Sequence, residues 1–229
     1  MTLSEAIVSR HSVRRYKDTP LPGSVLSALR EKIEDINRNA GLHIQLVTDE
    51  PKAFSGIMSY GSFSGARNYL VMAGAKSEDL DEKIGYYGEQ LVLLAQTLGL
   101  NSCWAGLSYS KIPGTYELGE GEKIGCYIAL GYGETQGKGH KIKRAEEVSN
   151  ANGNSPEWFR RGIDAALLAP TAVNQQKFRI EYLGPRDGAL PEVSARATFS
   201  MVGYARMDLG IVKYHFEIGA GKENFIWAD

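Results

Sequence analysis

Ala169-Pro170-Thr171-Ala172-Val173-Asn174-Gln175-Gln176 stands between a helical pattern and an alternating one. Upstream, Phe159, Ile163 and Leu167 recur at helical spacing, and Ser155 as N-cap with Pro156 at the first helical position would open that helix. Pro170 ends it. Downstream, Phe178, Ile180 and Tyr182 alternate with Arg179 and Glu181 as a half-buried strand. Small residues let this backbone approach a planar ligand, and Asn174 and Gln176 carry donor and acceptor pairs that match a ring's alternating N–H and C=O groups. The competing reading is a polar helix-to-strand loop that binds nothing.

The N-terminal half holds a similar succession. Val25, Leu29, Ile33 and Ile36 predict an amphipathic helix over 24–37 with Ser24 as N-cap; a loop with Asn39 follows, then Leu42, Ile44 and Leu46 alternate as a strand. Farther on, Gly85-Tyr86 to Leu98 parallels Gly203-Tyr204 to Phe216, with Leu91, Leu94 and Leu98 matched by Leu209, Val212 and Phe216. At this level an internal two-fold repeat and two unrelated halves are equally good readings. Residues 135–154, rich in Gly, Lys, Asn and Ser and almost free of apolar side chains, read as a linker or a wrapping arm.

Elsewhere, Thr2 with Glu5 makes a capping box for a short helix ending near Arg10. Residues 51–68 read as loop and partial helix, 69–73 as a strand, and 123–132 as a strand buried on both faces. Leu91, Leu94, Ala95 and Leu98 follow the 3.6-residue period, with Gly99 placed to end that helix.

Composition narrows the partners. The 229 residues carry 26 Lys+Arg against 27 Asp+Glu, a net charge of −1, so no broad basic field collects nucleic acid. The two cysteines fit neither a zinc site nor a disulfide scaffold, which with the absence of a cleavable leader predicts a cytoplasmic protein. No apolar run approaches the roughly 20 residues that span a bilayer. A small-molecule substrate remains. The 26 glycines imply close backbone approaches, notably over 56–65, 99–106 and 131–139.

Arg10-His11-Ser12-Val13-Arg14-Arg15 crowds the groups that grip a phosphate: guanidinium forks for bidentate bonds and a hydroxyl donor. Lys138 to Arg144 is a second cationic cluster, and Leu98 to Gly106 a turn of small residues around Trp104. No phosphate loop, zinc-protease motif or nucleophile elbow is present, and the four histidines are scattered. His215, between Tyr214 and Phe216, reads as a hydrogen-bonded core residue rather than a base.

Taken in order, Arg10 to Tyr16, Leu98 to Gly106, Lys143-Arg144 and Ala169 to Gln176 resemble the FMN-dependent nitroreductase family; the last of these resembles its APSxxNxQPW stretch. That resemblance implies an α+β fold with a central, mainly antiparallel sheet flanked by helices. It implies FMN as cofactor, NADH or NADPH as donor, and an electron-poor acceptor such as a nitroaromatic or quinone. Hydride would pass from a stacked nicotinamide to the flavin, with no side-chain acid or base in that step. Arg10, His11, Ser12, Lys143 and Arg144 would surround the phosphate, and Arg14 would stabilise charge on the reduced ring. Trp104, Ala105 and Gly106 would face the ring, together with Pro170, Thr171, Asn174 and Gln176. Segments near Tyr60, Tyr86, Tyr109 and Trp227 would line the rest of the pocket.

The sequence departs from the family in motif order. The family carries the APSxxNxQ stretch near 36–43, where Asn37-Arg38-Asn39-Ala40-Gly41 does not match, and Lys177-Phe178 replaces Pro-Trp. Family members are homodimers that share each flavin between subunits. Here both contributions lie in one chain, which predicts a pseudo-dimer: 1–148 as one subunit and 155–229 as a shortened second, packed together, with one FMN and no obligatory partner chain. The alternative functional reading is a protein that binds or sequesters FMN without turnover.

Overall fold

The computed structural model describes residues 1–55, 63–185 and 189–228. Six helices are described: α1 (Leu3–Ser9), α2 (Gly23–Ala40), α3 (Leu80–Thr97), α4 (Ala145–Val148), α5 (Glu157–Leu167) and α6 (Ala205–Ala220). Seven strands accompany them: β1 (Gln45–Val47), β2 (Asn68–Ala75), β3 (Asn101–Ala105), β4 (Glu122–Gly131), β5 (Phe178–Pro185), β6 (Pro191–Ala197) and β7 (Ile226–Trp227). The antiparallel sheet flanked by helices is present, divided in two. Strands β1-β2-β4-β3 form an antiparallel four-stranded sheet, and β5-β6-β7 a three-stranded one in which only β7 runs parallel to its neighbour.

Two amphipathic helices organise the core. The apolar stripe of α2 (Val25, Leu29, Ile33, Ile36) and that of α3 (Ile84, Leu91, Ala95) bury against Leu70, Met72, Ile128 and Leu130 on one face of the four-stranded sheet. The opposite face of that sheet packs Tyr69 and Tyr127 against Phe54. A separate cluster joins α5 and α6 to β5 and β6 through Phe159, Ile163, Ile180 and Phe216. Helix α1 seats Ala6 and Ile7 against Leu93, with Leu168 and Ile218 alongside.

The two clusters meet where α3 crosses α6, and glycine sets the distance. A Cβ on Gly85 would lie 1.9 Å from the Met207 carbonyl oxygen and 3.1 Å from the Ile211 nitrogen. A Cβ on Gly210 would lie 2.0 Å from the Glu82 carbonyl oxygen and 2.6 Å from the Tyr86 nitrogen. The contact is reciprocal: 82 to 207, 85 to 210 and 86 to 211 share one shift of 125 residues. Each half therefore runs helix, two antiparallel strands, helix, with the closing helices packed face to face. The sequence pairing of Gly85 with Gly203 uses a shift of 118 and is corrected here. A slip of seven residues is about two helical turns and leaves an apolar stripe almost in place, so hydrophobic pattern alone does not reveal it.

Both predicted serine N-caps are corrected as well. Ser24 lies inside α2, whose N-cap position is Pro22, without a side-chain bond. The Ser155 hydroxyl accepts the Asn152 N–H and closes the preceding loop, so α5 starts bare after Pro156. The capping box of Thr2 and Glu5 is formed. The expected loop over 51–68 falls partly outside the described residues, as does Tyr60; within the described part, Lys52–Phe54 forms a short 3-10 turn.

The motif departure has a structural counterpart. In the N-terminal half, the Asn37 side chain donates to the Ile44 carbonyl at 2.9 Å and accepts the Ile44 N–H at 2.8 Å, closing the link from α2 to β1 tightly around left-handed Gly41. The link from α5 to β5 is long enough to carry a loop.

Candidate functional site: a two-armed cleft

After α1 ends, the chain runs extended beside β3: Ser12 bridges Ser102, and the Val13 N–H donates to the Ser102 carbonyl at 3.0 Å. Extended backbone alternates its side chains. Val13 is buried in the cluster against the sheet, which turns its neighbours Ser12 and Arg14 toward an open cleft. One arm of that cleft, about 490 Å³, is lined by Arg10, His11, Lys138 and His140. The other, about 310 Å³, is lined by Trp104, Ala105, Gly106, Tyr204 and Met207, with Phe63 at its side. Ser12, Arg14, Pro170, Thr171 and Val173 line both arms and so form the junction.

The cationic arm is held open by the segment following β4. The Tyr132 carbonyl accepts from Lys17 N–H, the Glu134 N–H donates to Arg15, and the His140 ring bonds the Leu167 carbonyl at 3.1 Å. Val148, fully buried, pins the far end in the second cluster. The predicted linker is thus a wrapping arm. Burial lowers the pKa of His11, and Arg10 and His140 push it the same way.

The loop over 171–176 is tightly clasped. Val173, Asn174 and Gln176 have φ of 46°, 56° and 46°, a left-handed conformation that costs non-glycine residues energy unless neighbours impose it. The neighbours are explicit. Lys143 Nζ donates to the Gln176 carbonyl at 2.8 Å, and Gln176 Oε1 accepts the Lys143 N–H at 2.9 Å. The amides of Asn174 and Gln176 both donate to the Lys141 carbonyl, at 2.8 and 2.9 Å. Asp208 accepts the Ala172 N–H at 2.9 Å and the Gln175 side-chain amide at 2.7 Å.

Behind the junction lies a buried carboxylate. Glu89 of α3, with no exposed surface, accepts Trp104 Nε1–H at 3.0 Å, faces His215 Nε2 at 2.8 Å and lies 3.9 Å from Arg10 Nε. His215 Nδ1 meets the Ala165 carbonyl at 3.1 Å. A carbonyl only accepts, so Nδ1 donates to it, and one proton lies between Nε2 and Glu89. Arg10 is 3% exposed, and its Nε has no hydrogen-bond partner. Burial lowers the Arg10 pKa, with Glu89 opposing. A buried guanidinium that retains an unsatisfied N–H and lines a cleft fits an anionic ligand.

Of the residues marked from sequence, Arg10, His11, Ser12, Arg14, Trp104, Ala105, Gly106, Pro170, Thr171 and Asn174 all line the cleft. Lys143 and Gln176 stand behind it as the clasp. Arg144 lies apart: its side chain is largely exposed and pairs with Glu146 and Glu147 at the start of α4. His215 is the core residue expected. Tyr86 and Trp227 meet at Glu217, at 2.6 and 2.8 Å, and Tyr109 stacks on Tyr127. Glu89, Asp208 and Tyr204 went unmarked in the sequence, since each gains its meaning from a residue more than ten positions away.

A "putative nitroreductase" of Thermotoga maritima aligns at 22% identity over 97% of this chain and 85% of its own, with a TM-score of 0.64. A "putative nitroreductase in complex with FMN" from Desulfovibrio desulfuricans aligns at 17% identity over 65% of this chain and 95% of its own, TM-score 0.52. A nitroreductase family protein of Streptococcus pneumoniae aligns at 13% identity over 66% of this chain and 100% of its own, TM-score 0.52. No curated protein matches the sequence. Among the described residues, no helix is long and apolar enough to cross a membrane. The family model described as "Putative TM nitroreductase" matches residues 2–220, and the chain belongs to that nitroreductase family.

Proposed function

We propose that the chain is an FMN-dependent oxidoreductase that takes hydride from NADH or NADPH and delivers it to an electron-poor aromatic or quinone acceptor. The observation that carries this reading is the cleft itself: a cationic arm and an aromatic arm meet at Ser12, Arg14 and Thr171, the layout of a ligand with a phosphate at one end and a flat ring at the other. The largely buried Arg10, which lines the cationic arm, is the guanidinium such a phosphate would meet. When bound, the flavin supplies the hydride chemistry; the protein supplies placement and electrostatics. Arg10, Ser12, Lys138 and His140 would hold the phosphate, Trp104, Gly106 and Thr171 would bound the ring, and Arg14 would balance negative charge near it. Gly106 packs so tightly on Tyr204 that a Cβ would lie 2.6 Å from its ring, which keeps this wall flat.

We further propose that one chain forms one complete site. Residues of both halves line the cleft, and α3 and α6 pack by a reciprocal contact. The Desulfovibrio chain is accounted for by about two thirds of this one, which leaves room for a shortened second copy. Sedimentation with flavin quantitation tests the stoichiometry: one FMN per monomer supports it, and two per chain, or flavin bound only in a dimer, refutes it. Mixing the FMN-loaded protein with NADH and NADPH without oxygen tests the activity. Bleaching of the oxidised flavin band supports an oxidoreductase, and a band unchanged by either nucleotide favours a flavin-binding protein without turnover.

A further inference from the structure

The walls of the aromatic arm are mixed, with Ser12, Thr171 and Asp208 set among Trp104, Met207 and Ile211, but its mouth has a distinct character. Among the described residues that line the arm, four are exposed: Arg14, at the junction with the cationic arm, and Leu107, Val173 and Val202. The last three are 69%, 79% and 49% exposed, so they stand at the rim rather than in the walls. Phe199 and Met201, in the same loop as Val202, are 83% and 92% exposed. Apolar side chains exposed singly are ordinary, whereas several gathered at the mouth of a cleft mark a contact surface. The gathering is built. Gln175 Nε2 donates to the Gly203 carbonyl at 3.0 Å and its Oε1 accepts from Ser200, which ties the loop of Val173 to that of Val202. Tyr204 packs its ring on Gly106, beside Leu107. Val173 adds an independent sign: a β-branched residue at φ 46° is strained, the clasp through Lys141, Lys143 and Asp208 holds it there, and its side chain gains no burial in return.

We propose that this rim binds the aliphatic tail of the acceptor, so that the substrate is an electron-poor ring carrying an alkyl or prenyl chain rather than a small water-soluble aromatic. The inference rests on the flavoprotein reading above and deepens it: the arm itself is left to the flavin ring, and the rim is the surface that a second molecule crosses to reach it. For a tailed quinone, hydride from NADH or NADPH and one proton from water convert the two carbonyls to hydroxyls, and the tail takes no part in the bonds that change. A chain laid across Leu107, Val173 and Val202 removes apolar surface from water on both partners, worth about fourfold in affinity for each methylene fully covered. A lipid surface on the same rim would want a broad basic field beside it, which a chain of net charge −1 does not supply.

The test uses the full chain loaded with FMN and benzoquinones that share one ring and carry a methyl, pentyl or decyl group. KM should fall at least about tenfold from methyl to decyl while kcat stays within about twofold. Two esters that are not reduced, methyl and heptyl 4-hydroxybenzoate, give a readout besides turnover. Calorimetry should find the heptyl ester at least about tenfold tighter, with a more negative heat-capacity change. The double substitution Leu107→Ser with Val202→Ser should narrow both ratios to within about threefold, and Leu107→Met with Val202→Ile should restore them. Equal KM and equal ester binding across tail lengths in the unaltered protein overturn the proposal, and this needs no variant to fold. So do ratios that survive the serine substitutions. A chain that is dimeric under assay conditions and dissociates on Val202→Ser, or that sediments with phosphatidylcholine vesicles without a tailed ligand, also overturns it, because a second copy or a lipid surface then covers the rim. In each of these cases FMN is bound, so the flavoprotein reading survives; a chain that takes up no FMN overturns the two together.

Discussion

Replacing Gly85 by alanine sets two physical effects in opposition. In the middle of a helix, Gly to Ala is favourable by about 1 kcal/mol from backbone entropy. At this position, however, the added methyl would lie 1.9 Å from the Met207 carbonyl oxygen, against the 3.4 Å of ordinary contact. Backbone cannot rotate aside, so α3 and α6 must part by about 1.5 Å, loosening a buried interface; overpacking of this kind costs about 1–3 kcal/mol. We expect a net loss of ~1 kcal/mol for Gly85→Ala, and the same for Gly210→Ala, whose methyl would lie 2.0 Å from the Glu82 carbonyl. Both substitutions are relieved by the same separation. The double variant should therefore lose at least ~1 kcal/mol less than the sum of the singles, a coupling that distant sites do not show. Equilibrium urea unfolding of the four proteins measures it. Singles that are neutral or stabilising, or losses that add, refute the reciprocal contact as the element that fixes the helix pair.

Arg10→Ala should lower FMN affinity at least about tenfold by removing a charge-assisted phosphate bond, whereas Arg144→Ala, whose guanidinium is held by two glutamates, should leave it unchanged; fluorescence titration of flavin compares them. Glu89→Leu should destabilise the flavin-free protein by ~3–5 kcal/mol, because it strands Arg10, Trp104 Nε1 and His215 together, and bound FMN should recover part of the loss; denaturant unfolding with and without FMN separates the two. A raised carboxyl pKa means that the folded protein holds a proton the unfolded chain has released. Asp208 therefore makes stability fall as pH rises from about 4 to about 6, by up to ~3 kcal/mol, and Asp208→Asn should flatten that slope in unfolding experiments at a series of pH values.

The sequence showed those parts of this fold that depend on near neighbours. Alternation at Phe178, Ile180 and Tyr182, and helical spacing at Leu91 and Ala95, translate directly into β5 and α3, because each pattern is a period along a single element. The cleft was legible for a similar reason: Arg10 to Arg14 and Pro170 to Asn174 are short runs whose composition shows their chemistry. The long-range partners were not. Ser155 looked like a cap until Asn152 claimed its hydroxyl, and Asn174 and Gln176, marked as ring contacts, direct their amides to the Lys141 carbonyl. Glu89 and Asp208 matter through Trp104, His215, Ala172 and Gln175, and nothing local to either announces those meetings. The packing of α3 on α6 was not legible, because an apolar stripe is nearly unchanged by a two-turn slip and the glycine contact joins elements far apart in sequence.

That contact also bears on how the protein can change. In an assembly of two identical chains, a substitution at a two-fold interface appears on both sides at once, and the interface must accept both. Here Gly85 and Gly210 are encoded separately, so either can mutate while the other stays fixed. On the proposed reading of two copies in one chain, the tight turn at Asn37 and Gly41 and the clasped loop at 171–176 diverge without each having to serve the other's role. That reading also ties the two sides of the cleft together at a local concentration that dilution cannot lower.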